Sequence, residues 1–357
     1  MTSAQSALLY LIRALGGFSL ARYLTRKRLR ILCYHGFSVA DEFRVLPFMF
    51  MRQETFERRM NLLRRRSIPV IPLGAAIKRL QNDAIQDAET VITLDDGWAS
   101  NLTIALPILE RHGYPACVYV TTEHLGAGTE AFNVALYYMI RKSSRPSVTL
   151  TDIHPDVNGT YDLRDARAAV THLVEATERV FSLGERQRLL RPLALALGVS
   201  ADEIFRDGRF SFLSGRQLQT LCQRGVDVEL HTHTHRLPRE TFAEVAAEIH
   251  GNRDALKAVV GYEARHFCYP SGVHDPAHPE WLKQLGIESA TTCDPGLNTA
   301  RTSPMLLKRF LDSDDTPDIF FEAEICGVRD LIRDARSCVQ RVFAPWLPRL
   351  RSSSPGR

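Results

Sequence analysis

From Ile31 onward the chain repeats one unit, a short β-prone run followed by a helical stretch and another β-prone run. Such repetition implies parallel strands joined by right-handed crossovers, because a connection long enough to hold a helix returns the chain to the same end of the sheet. Strands are expected at Arg30–Tyr34, Val70-Ile71, Val91–Leu94, Ala116–Thr121, Val226–Leu230, Ala264–Tyr269, Glu288–Thr292 and Met305–Phe310. Helices are expected at Gln53–Arg66 with Thr55 as cap, at Ala75–Leu80, at Leu102–Arg111 closed by Gly113, at Phe242–Val259 and at Pro279–Leu285. Residues 127–212 break this rhythm. Their spacing predicts a hairpin around Asn158-Gly159, helices over Arg164–Phe181 and Glu185–Leu197, and a capping box from Ser182 to Glu185. This mainly helical insertion is either a packing elaboration or a lid over a cleft.

Two of the strands end in unusual chemistry. Val91-Ile92-Thr93-Leu94 runs into Asp95-Asp96-Gly97, and two adjacent carboxylates belong at a rim, since burying them unpaired is costly. Asp-Gly alone is also an ordinary turn signal. The second cluster, His231-Thr232-His233-Thr234-His235, follows Val226–Leu230. Neutral imidazole is the commonest ligand for zinc-like ions. Alternate positions put at least two of these nitrogens on one side of a strand end. Two histidines and one aspartate around a divalent ion, with a position left open, form a hydrolytic pattern.

Several sequence runs resemble those of the polysaccharide deacetylases, carbohydrate esterase family 4 with its NodB-homology domain. Thr93-Leu94-Asp95-Asp96-Gly97 is similar to the family's first motif and His231-Thr232-x-x-His235 to its second. Phe267-Cys268-Tyr269-Pro270-Ser271-Gly272 resembles a variant of the third, and Ile31–Gly36 and Leu307–Phe310 resemble flanking fragments. The resemblance implies a distorted, incomplete (β/α) barrel with its active site at the carboxyl ends of the strands, as in parallel barrels generally. It implies Asp96, His231 and His235 as ligands of a divalent metal, usually zinc, and Asp95 as general base. It also implies substrate or oxyanion contacts at Tyr269 and Ser271, and an acetylated amino-sugar glycan as substrate. His233 is the variable position of its motif.

Two departures from the family pattern stand out. The arginine that many relatives carry in the third motif is replaced by Cys268, and Arg265 and Arg309 are the candidates to orient the base from a neighbouring strand, Arg309 matching a recurrent arginine of a variant subgroup. The late histidine that serves many relatives as general acid is missing, since no histidine follows His278. His35 is the candidate replacement, its alternative being a structural role. His274 and His278 are expected on a surface loop. Two competing readings are a catalytically weakened carbohydrate-binding homologue and an amidohydrolase-type metal enzyme acting on another small amide. The latter usually carries His-x-His on its first strand.

The 45 basic and 41 acidic residues leave a net charge of +4, with no stripe of basic and aromatic residues to suggest nucleic acid. Seven scattered cysteines, none in a Cys-x-x-Cys pair, suit a reducing compartment, and a cytoplasmic protein is expected. Residues 1–30 read as one helix or two with a basic second half, either docked on the body or touching the inner membrane face. The expected organisation is this segment, a catalytic barrel of residues 31–126 and 213–315, the insertion, and a C-terminal helix with a disordered tail over 316–357.

Overall fold

The computed structural model describes residues 3–125 and 129–343. Seven parallel strands form one curled sheet: β1 (Arg30–Tyr34), β2 (Thr90–Leu94), β3 (Ala116–Val120), β4 (Val226–Leu230), β5 (His266–Cys268), β6 (Ser289–Thr291) and β7 (Phe310–Leu311). Their order is β6-β5-β4-β3-β2-β1-β7. The chain between β6 and β7 nearly closes the ring. Leu307 pairs with Thr291 of β6, while Phe310 and Leu311 pair with Leu32 and Cys33 of β1. The result is the expected incomplete barrel.

Alternation along the strands sorts the side chains. Leu32, Ile92, Val118, Val228 and Phe267 join the helices in the main core. Ile31, Val91, Cys117, Tyr119 and Cys268 belong to a second cluster. Continuing its parity along β1 and β2 leads to Cys33 and His35 and to Thr93 and Asp95. The first acid of the motif therefore inherits an inward direction from residues whose only business is packing.

Most expected elements form within a residue or two. Four differ. The strand at Val70-Ile71 is reduced to a single bridge from Val70 to Thr90. The strand at Met305–Phe310 shortens to β7, because the Asn298 side chain pairs with the backbone of Lys308 at 2.8 Å in both directions, as a neighbouring strand would. Thr55 is not a cap: the helix Gln53–Arg65 starts after Arg52, and Thr55 is buried in its first turn. The hairpin Ser147–Leu150 with Gly159–Asp162 forms, but its tip is the whole stretch 151–158. Asn158 closes that stretch by accepting from the backbone N–H of Ile153 and His154.

The insertion has its own core, in which Leu173, Leu190, Leu193 and Leu197 from two helices pack on Phe132, Leu136 and Met139. Each such side chain contributes about 1.5–3 kcal/mol on burial. The Ser182–Glu185 capping box is present. At the other end of the chain the N-terminal segment is two helices, α1 (Ser3–Ala14) and α2 (Gly17–Leu24), turned through 80° at Gly16. The expected C-terminal tail lies outside the described residues.

Candidate active site

Asp95 and Asp96 are adjacent in sequence but are held in different ways. The Arg309 guanidinium meets Asp95 side by side, Nη1 to Oδ1 at 2.7 Å and Nη2 to Oδ2 at 2.8 Å. Both groups are buried. Arg309 is itself fixed by the Thr292 carbonyl, the Thr93 hydroxyl and the Cys268 sulfur. The thiols of Cys33 and Cys268 also approach Asp95 Oδ2, at 3.5 and 3.4 Å. Burial pushes the Asp95 pKa up, but the paired arginine outweighs it and holds the carboxyl at about 2. A planar two-point pair fixes direction as well as charge. Of the two arginines expected to serve here, Arg309 is in place, whereas Arg265 pairs with Glu288 on the surface.

Asp96 turns the other way. Its φ of 76° lies in the left-handed region, and Gly97 follows at 83°. Thr232, His235 and Ser271 also have positive φ, at 64°, 61° and 54°. Non-glycine residues rarely adopt this conformation, and four of them gather around one rim. Asp96 Oδ1 lies 3.2 Å from His231 Nε2 and 3.3 Å from His235 Nε2. Two ligand atoms about 2.0–2.1 Å from a shared tetrahedral centre would be separated by about 3.3–3.4 Å. His231 Nδ1 donates to the Cys268 carbonyl at 2.8 Å, an anchor that would leave the Nε2 lone pair of a neutral ring for a metal ion; without one, a protonated Nε2 donates to Asp96. Burial opposes the charge on Asp96, but hydrogen bonds from the two histidines keep its pKa well below the carboxylate norm. The donor set and spacing fit a divalent cation of the zinc type.

A further layer holds these ligands, and sequence reasoning missed it. Trp98 Nε1 donates to Asp96 Oδ2 at 2.9 Å, leaving Oδ1 to the histidines. The helix Phe242–Val260 clamps the histidine loop from below. Glu248 accepts from the backbone N–H of His233 and Thr234, and from the Thr234 hydroxyl. Asn252 accepts from the His231 N–H and donates to the Val120 carbonyl and Thr122. Glu248 and Asn252, one helical turn apart beside the inward-facing Val245, Ile249 and Leu256, were the available signal. His233 bonds Thr122 and stands apart from the Asp96 cluster.

His35 lies at the end of β1, with one ring nitrogen within 4.8 Å of both an Asp95 carboxylate oxygen and the Cys33 sulfur. Its Nδ1 is buried with no partner among the described residues. Tyr269 is buried in the core against Phe267, and its hydroxyl likewise has no partner. Ser271 sits in the tight turn that ends at Gly272, where a Cβ would collide with Cys293. Neither residue lines the cleft described next. His278 is a correction: it is buried, bonding the Pro238 carbonyl and the Asp275 N–H, because the helix it begins packs inward.

Asp96 and His235 open into a cleft of about 420 Å³ whose far wall is the insertion, through Phe132, Val174, Leu183 and Arg186. Trp98, Phe212 and His124 stack in series along one side, with centroids 4.9 and 4.5 Å apart. Burial lowers the His124 pKa to about 4, so the ring is neutral and presents a flat apolar face near neutral pH.

The model of a known family matches residues 198–290, and its description is polysaccharide deacetylase. Over that segment, about a quarter of its length, the chain is similar to the polysaccharide deacetylase family. The matched segment carries His231, His235 and the turn at Tyr269–Gly272, and Asp95 and Asp96 enter the site from outside it. The fold is shared with a deacetylase of Streptococcus pyogenes, PplD, solved in complex with acetate. The TM-score is 0.55 and the identity 15%, over 84% of this chain and 99% of that one. IcaB of Ammonifex degensii gives 0.53 and 17%, over 84% and 97%. The polysaccharide deacetylase BC0361 of Bacillus cereus gives 0.51 and 16%, over 84% and 69%. No curated protein sequence matches the chain.

Proposed function

We propose that this chain is a polysaccharide deacetylase, a metal-dependent hydrolase that removes N-acetyl groups from an amino-sugar glycan. One observation carries the reading. Two neighbouring acids are sorted into different tasks, Asp96 facing two imidazoles and Asp95 locked against Arg309. Asp96, His231 and His235 would hold the ion, which when bound polarises a carbonyl and lowers the pKa of water.

The remaining chemistry belongs to the chain. Asp95, kept ionised and aimed by Arg309, accepts the proton of the attacking water. His35, the candidate proton donor, protonates the amine as the C–N bond breaks. The backbone N–H at Ser271 is the proposed oxyanion donor. The aromatic side of the cleft receives the apolar face of a sugar ring.

The experiment is acetate release from a panel of N-acetylated hexosamine oligomers. The reading expects release that disappears on chelation and returns with zinc or cobalt. Release indifferent to chelation, or none from any acetylated sugar by metal-loaded protein, overturns it.

A further inference from the structure

α1 and α2 are apolar on two sides. Their inner sides dock on the body through Leu9, Phe18 and Ala21, which are buried. In α1 and the turn after it, Leu8, Leu11 and Leu15 follow the i, i+3, i+7 spacing of one face, and each is more than half exposed, Leu15 at 77%. In α2, Leu20, Tyr23 and Leu24 repeat this, again more than half exposed. With Tyr10, these seven make up half of the fourteen exposed large hydrophobic side chains among the described residues, confined to positions 8–24. Scattered surface leucines need no explanation, but a patch of this density does.

Charge indicates what covers the patch. Residues 1–30 contain six basic side chains and no acidic one. Arg30 is buried and Arg28 is paired with Asp330 and Asp334. Arg22 spends its donors on carbonyls of Arg66, Ser67 and Asp87, which leaves its charge unneutralised by them. Arg26 lies 4.1 Å over the Tyr23 ring and Lys27 is exposed. Across the groove from α1, Arg65 is exposed and has no ion-pair partner among the described residues. An apolar face rimmed by such cations complements a lipid surface bearing negative headgroups.

We infer that α1 and α2 seat the protein on an anionic phospholipid bilayer, as a surface contact. No single helix among the described residues is long and apolar enough to cross a membrane; α1 and α2 together have the length and composition, but they are bent by 80° and dock on the body through Leu9, Phe18 and Ala21. The seat is at the amino ends of the strands: Arg26 O accepts from Ala88 N–H just before β2, and Arg22 reaches the end of the helix Gln53–Arg65. The rim carrying Asp95 and His231 is at the opposite ends. The seated protein therefore holds its cleft away from the lipid, open to a glycan in the aqueous phase.

The test is co-sedimentation of the full chain with vesicles of phosphatidylcholine alone or mixed with phosphatidylglycerol. The expected result is binding about tenfold or more stronger to the anionic vesicles, weakened by high salt. Leu11→Asp with Leu15→Asp should abolish it, and Arg26→Glu with Lys27→Glu should reduce it to the level seen on neutral lipid. Both variants should keep the wild-type urea midpoint, because Leu11, Leu15 and Lys27 are exposed and the half-buried Arg26 side chain bonds only the nearby Tyr23 carbonyl among the described residues. Absence of binding, binding indifferent to phosphatidylglycerol, or a lipid-free dimer that the leucine variant splits into monomers would each overturn the inference.

Discussion

At the scale of single residues, the site depends on how two consecutive aspartates diverge. Asp95 continues the inward parity of β2, while a left-handed turn swings Asp96 towards the histidines. Arg309→Met in metal-free protein would leave Asp95 buried without its partner. Breaking such a pair costs about 3–5 kcal/mol at neutral pH. In the wild type, the depressed Asp95 pKa stabilises the fold above the unfolded value of about 3.9, and this is lost only as pH falls through about 2. Without Arg309 the folded pKa rises, so the variant should lose stability as pH rises from about 4 to 8 relative to wild type. Urea unfolding at several pH values checks the sign, and a pH-independent deficit would refute it. Trp98→Phe removes one hydrogen bond to Asp96 and keeps most of the packing. Titration with zinc should show weaker binding by about 10- to 100-fold, the range for a partner behind a metal ligand. Unchanged affinity would mean that Trp98 only packs.

At the scale of elements, the helix Phe242–Val260 matters through two side chains more than through its bulk. Glu248 satisfies the backbone donors of a loop holding two positive-φ residues, Thr232 and His235, and Asn252 ties the same loop to β3. Asn252→Leu should destabilise the protein by about 1–3 kcal/mol, the cost of stranding buried polar groups. It should also weaken metal binding. Thermal unfolding with and without zinc separates the two effects, and a loss of stability alone would limit Asn252 to scaffolding. The alternation of strands and helices made the barrel legible in the sequence, and β1 and β4 have the expected bounds because each is framed by polar residues or glycine, the basic run before β1 and His35 after it, Gly225 before β4 and His231 after it. The cluster of Asp96, His231 and His235 was legible too, through motifs at strand ends. The clamp from Glu248 and Asn252 was not, because nothing local says which loop a helical glutamate will meet. The end of the barrel was misjudged for a similar reason, as Asn298, ten residues before Lys308, takes the place of a paired strand.

At the scale of the whole molecule, a curled parallel sheet carries Asp95, Asp96 and His231 just past the carboxyl ends of its strands, and the insertion walls one side of the opening. The central claim is that metal holding and proton handling are divided between Asp96 and Asp95. The most direct measurement follows bound zinc and acetate release together in Asp95→Asn and Asp96→Asn. Asp95→Asn should keep about one zinc per chain and lose turnover by about two orders of magnitude or more. Asp96→Asn should lose both. An Asp95→Asn protein that binds zinc and turns over at near the wild-type rate, or an Asp96→Asn protein that keeps its zinc, would contradict the division.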